Sequence, residues 1–172
     1  MVWKIFAASA LVASARDLAQ IAAPPKAPPL IAGHPSSLQL REAHIDPSWI
    51  IAGEPKARLA EHSRAVDGAA ATAVWECTAG EFRWFFAWDE TVVILEGGVH
   101  VTAEDGTERS LKAGDIAYFK ANSWATWKID SYVKKIAFVR RPFPAIVANA
   151  WRAFKNLRQA ARGTQSTGAS LH

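Results

Sequence analysis

The chain has 172 residues, half of them apolar, with eight Trp, eight Phe and a formal net charge of +4. That is enough for one core and short for two, and a single cysteine, Cys77, excludes an intrachain disulfide and a thiolate metal cluster. From residue 131 onward there are eight basic and no acidic side chains, so the basic character belongs to a C-terminal extension and the preceding part is net acidic.

The opening MVWKIFAASALVASARD spaces Ile5, Phe6, Leu11, Val12 and Leu18 along one helical face. Lys4, the apolar run and Ala13-Ser14-Ala15 also imitate a secretory signal. The run is too short to span a bilayer, and the expectation is a docking or membrane-surface helix on a cytoplasmic protein. APPKAPPL, residues 23–30, ends that helix as a linker, because proline has no amide hydrogen and restricts its predecessor. Between residues 31 and 62 one short strand is expected, near Trp49, Ile50 and Ile51.

From Ala71 the pattern changes to short apolar or alternating runs broken by turns, with Asp105-Gly106 a strong hairpin signal. The fold class is all-β, a sandwich or barrel. RRPFP, residues 140–144, stops the last strand. Beyond it Ile146, Val147, Ala150, Trp151, Phe154 and Leu157 share one face of a helix, while Arg152, Lys155, Arg158 and Arg162 lie elsewhere around it. The organisation is a helix and linker over 1–30, a barrel over 31–143, a basic amphipathic helix over 144–162 and a flexible tail over 163–172. A basic extension suits an anionic membrane surface or a partner, with a solvated helix face or packing on the barrel as the plain reading; nucleic acid is not an expected partner.

Residues 71–139 carry WEC, GEFRWFFAWDETVVILEG, a sixteen-residue gap from Gly97 to Gly114, AGD and SWATW in that order. This stretch resembles the cupin superfamily, a jelly-roll barrel, and within it the ureidoglycine aminohydrolase-like and ethanolamine-utilisation-type cupins. The resemblance implies a divalent metal held by two histidines and a glutamate of a first motif and one histidine of a second. Counting back from Gly97, the glutamate is Glu90 and the histidine positions hold Trp84 and Phe86; counting from Gly114, the last holds Ala125. With three of four ligands absent, no metal is expected as cofactor, and a metal-dependent aminohydrolase activity is not carried over. A metalloenzyme using His44 or His62 with Glu90 is the alternative.

If Glu90 faces the interior, period-two alternation places Val92 and Ile94 with it, Trp84 and Phe86 on the adjoining strand, and Ala125, Trp127 and either Tyr118 or Phe119 opposite. The ligand-binding candidates are Glu90, Trp84, Phe86, Tyr118 and Trp127, walling a site for a small polar organic molecule. The same residues also read as rings filling a cavity that metal and substrate no longer need. Arg83 should point outward, Cys77 should be a small buried hydrophobe, and Glu76 and Glu96 should pair with Lys120 or Lys128. Because FRWFFAW is apolar on both faces, a homodimer covering it with residues 46–58 is expected.

Overall fold

The computed structural model describes residues 28–163, with side chains through residue 159. The expected N-terminal helix and the terminal tail lie outside the described residues. Where one short strand was expected before Ala71 there are three: β1 (Arg41–Ala43), β2 (Ile50–Gly53) and β3 (Ala57–Arg64). They were hidden because none of them alternates cleanly. β2 and β3 are mostly exposed and held by pairing with the next strand rather than by a buried face.

That next strand, β4 (Ala70–Phe86), is long, as are β5 (Asp89–Ala103) and β8 (Ser123–Arg140); β6 (Glu108–Lys112) and β7 (Ile116–Phe119) are short. All pairings are antiparallel, in the order β1-β3-β4-β8-β5-β6, with β2 added to β4 and β7 to β5. The Asp105-Gly106 hairpin forms between β5 and β6, with Gly106 at φ +83° and Asp105 Oδ1 accepting from Thr107 N at 2.9 Å.

β4 and β5 each change phase along their length, while β8 keeps its odd-numbered residues inward. On β4, Trp75 and Cys77 face the core, then the register shifts between Thr78 and Gly80, after which Phe82 and Phe86 face it. Two residues of β8, Asp130 and Ser131, stand opposite Ala79 alone, and the mismatch moves the inward set of β4 from odd to even positions. β5 does the reverse at Leu95–Gly97, passing from Val92 and Ile94 to Val99 and Val101. The two shifts bend both strands and let one sheet enclose a core that also takes in Ile45, Phe119, Trp127, Ile129 and Val133.

Trp49, in the turn before β2, sets its ring edge-on to Trp84 (5.8 Å between centroids) and Trp124 (5.3 Å). Arg83 points outward, its guanidinium 4.6 Å from the Trp124 ring centre. Part of the cover expected from a second copy is therefore supplied within the chain.

α1 (Ala145–Gly163) follows Pro142 and Pro144. It does not pack on the barrel: Ile146, Val147, Trp151, Phe154 and Leu157 are all exposed. No described helix is long and apolar enough to cross a membrane.

Candidate functional site

Glu90 opens the inward face of β5, as its alternation with Val92 and Ile94 requires. Its Oε1 accepts a hydrogen bond from Lys135 Nζ at 2.7 Å. Lys135 lies on β8 in phase with Val133 and Ala137, and is only 5 % exposed. Its ammonium sits 4.4 Å from the centre of the Trp127 ring and 4.9 Å from that of Trp75. Indole faces attract a cation, so the charge taken from water is met by one carboxylate and two π-systems.

Beside this pair is a cavity of about 80 Å³ lined by Trp75, Phe82, Trp84, Trp127, Glu90 and Lys135 together with four aliphatic side chains. Trp75 and Trp127 are buried, and neither indole Nε1–H has a hydrogen-bond partner. An unpartnered buried donor costs about 1–3 kcal/mol, and both residues that carry one border this cavity.

Of the five residues named from the sequence, Glu90, Trp84 and Trp127 line this cavity. Phe86 does not: it stacks on Phe119, centroids 4.2 Å apart and planes 3° apart, and fills its part of the barrel. Tyr118 is corrected in position. It is 61 % exposed, and Phe119 faces inward. The reason is a polar anchor outside: the Tyr118 hydroxyl donates to Asp89 Oδ1 at 2.8 Å, and this bond pushes its ionisation above the ordinary tyrosine range. Asp89 also accepts from Ala121 N and Arg140, the Ala121 N–H foremost in holding its carboxyl below the usual range.

Lys135, Trp75 and Phe82 were missed. Glu76 and Glu96 are corrected in partner: Glu76 is bound by Arg58 and accepts from the Tyr132 hydroxyl at 2.9 Å, and Glu96 lies 3.8 Å from Lys134. Burial, with Glu76 second, pushes the Tyr132 hydroxyl up to about 12. His100 lies outside the barrel, with Ser110 Oγ 2.7 Å from Nδ1 and Asp130 Oδ2 3.1 Å from Nε2.

Residues 64–137 match the family model of the EutQ-like cupin domain. Over that stretch the chain is similar to EutQ-like cupin domains. Solved structures agree on the cupin fold. A DUF861-family protein of unknown function from Pseudomonas syringae pv. tomato superposes with a TM-score of 0.54 at 23 % identity, over 59 % of this chain. This chain spans 44 % of that relative's length. A Thermotoga maritima protein described as a predicted oxalate decarboxylase superposes at 0.50 with 13 % identity, over 63 % of this chain and 97 % of that one. A DUF861 protein of the same organism is 38 % identical over 37 % of this chain and 73 % of its own, with a TM-score of 0.36. No curated protein matches the chain.

The cupin positions that would hold a divalent cation do not fit one here. Rings occupy two of them, Ala125 a third, and the single carboxylate already bonds an ammonium. Neither His44 nor His62 lines the cavity, and among the described residues no three His, Cys, Asp or Glu side chains gather to hold a metal. Divalent transition metals need several oxygen, nitrogen or sulfur donors around them, and indole and phenyl rings offer none.

Cys77 is buried in the same barrel, and burial pushes its thiol up to about 12. Only a thiolate attacks an alkylating reagent. At pH 8 we expect iodoacetamide to label the native protein at least about a hundredfold more slowly than the protein in denaturant. Comparable rates would place Cys77 at the surface.

Proposed function

We propose that the protein is a metal-independent cupin that binds a small, neutral organic molecule through a hydrogen-bond-accepting oxygen. The observation that carries this is the pair of unpartnered indole N–H groups beside a Glu90–Lys135 pair that is already balanced in charge. The orphaned donors call for an acceptor, and charge balance disfavours an anion next to Glu90. The volume sets the size. About 80 Å³ is well below the roughly 150 Å³ that holds benzene, so the ligand has a few heavy atoms, on the scale of a short amide, ketone or aldehyde. Trp84 and Phe82 supply apolar walls, and Glu90 can accept from a ligand N–H or O–H.

The finer likeness to ureidoglycine aminohydrolase-type cupins gains no support from this donor set. The metalloenzyme reading would need ligands the barrel does not bring together.

Acetamide, acetone and acetate, each at millimolar concentration, test the reading against wild type and Glu90→Gln. A ligand of this size binds in the micromolar range at best, so a neutral carbonyl probe should raise the melting temperature by about 2–5 °C. In ¹⁵N–¹H spectra the Trp75 and Trp127 indole resonances should move with it, and Glu90→Gln should weaken the response to acetamide. Unmoved indole signals with every probe, or an equal response from Glu90→Gln, would remove this reading.

A further inference from the structure

α1 is 19 residues long, and its apolar residues form a connected surface instead of a buried one. Taking 3.6 residues per turn, Ile146, Leu157, Ala150, Phe154, Val147 and Trp151 fall in that order within an arc of about 140°. All of these side chains are exposed, Ile146 at 84 % and Leu157 at 73 %. Trp151 and Phe154 lie together, ring centroids 6.1 Å apart.

The basic side chains are not spread evenly around the rest. Arg158 falls within the arc between Val147 and Trp151, Lys155 follows on the Trp151 edge and Arg152 lies beyond it, so the Trp151 side of the apolar face is cationic. The Arg158 guanidinium lies 5.4 Å from the centre of the Phe154 ring, its stem covering apolar surface and its charge at the border. No acidic residue occurs anywhere from residue 131 to the end.

Three occupants of such a face can be compared. A second copy of α1 would bring a second row of Arg and Lys against the first, with no carboxylate on either helix to relieve the repulsion. A nucleic acid would neutralise the charge and leave Ile146, Phe154 and Leu157 in water. A bilayer of anionic lipid meets both needs at once, because the apolar arc enters the acyl boundary while the bordering cations remain among the headgroups. We infer that α1 docks the barrel onto an anionic membrane surface, lying in the interface plane with Trp151, Phe154 and Leu157 inserted. Pro142 and Pro144 lie between the end of β8 and the start of the helix.

Flotation of the full chain with vesicles tests this, using phosphatidylcholine alone and phosphatidylcholine with about one-third phosphatidylserine. The protein should float with the anionic vesicles and remain below with the neutral ones. Arg152→Gln/Lys155→Gln/Arg158→Gln should weaken binding about a hundredfold, and Phe154→Ser/Leu157→Ser should abolish it. All five residues are exposed, so both variants should melt with the wild type. The inference is overturned if the chain floats with neither vesicle or equally with both. It is overturned too if both variants bind like wild type, or if the apolar variant alters only the oligomeric mass by light scattering.

Discussion

Lys135→Met should lower the stability of the barrel by about 3–5 kcal/mol, and the melting temperature by about 10 °C. Methionine keeps the length and volume of the lysine stem, so the loss comes from Glu90, left half-buried without the partner 2.7 Å away. Glu90→Gln alone should cost less, since Lys135 retains the two indole faces. In Glu90→Gln/Lys135→Met no charge remains to strand, and most of the loss should return. Urea melts of the four proteins give the coupling directly. A cost below about 1 kcal/mol for Lys135→Met would mean that Lys135 does not hold this position.

The second large effect is at Gly97. Its φ is +68°, and a Cβ there would overlap the backbone carbonyl of Tyr132 on β8. Gly97→Ala should therefore destabilise by about 4 kcal/mol or more, by pushing β5 away from β8 at the phase change. Gly106→Ala is the matched control. It also has positive φ, at +83°, but nothing lies within 4 Å of the new methyl group, and the cost should be about 1 kcal/mol. Equal losses in chemical denaturation would show that backbone conformation, and not the approach of β8, sets the requirement at Gly97.

Each of these two positions has a role in the barrel that needs no metal. Gly97 is required by the closeness of two backbones, whatever the barrel contains. Glu90 is held by the Lys135 ammonium. At the other ligand positions that the resemblance implies, Trp84 walls the cavity and Phe86 stacks on Phe119.

Strand phase was readable where one face was strongly apolar: Glu90, Val92 and Ile94, or Ala125 and Trp127. For β7 alternation separated Ile116 and Tyr118 from Ala117 and Phe119, but both pairs are apolar or aromatic, so nothing local said which went inside. Asp89 decides it by offering the Tyr118 hydroxyl a partner outside. Lys135 was overlooked because a Lys-Lys pair reads as surface charge. Its phase with Val133, Ala137 and Val139 was nevertheless in the sequence, and adjacent strand residues cannot both point outward. The partner of Glu76 could not be found that way. Arg58 stands opposite it through the register of β3 against β4, fixed by strands with no clear pattern of their own.

The order of strands bears on how the chain comes to be folded at all. β8 is the last strand in the sequence, yet it lies between β4 and β5, and Ala70 meets Arg140 across it. Until residue 140 has been synthesised, β4 and β5 each lack the neighbour that covers one entire edge. A nascent chain therefore carries two long, open-edged strands, β4 rich in aromatic and β5 in aliphatic side chains, from the end of β5 until β8 is complete. Closure must then pair β4 with β8 across separations that reach 70 residues, between Ala70 and Arg140, which favours slow folding. Early stops before the end of β8 should yield not a smaller barrel but none, and a newly made chain depends on whatever shields those edges until its last strand arrives.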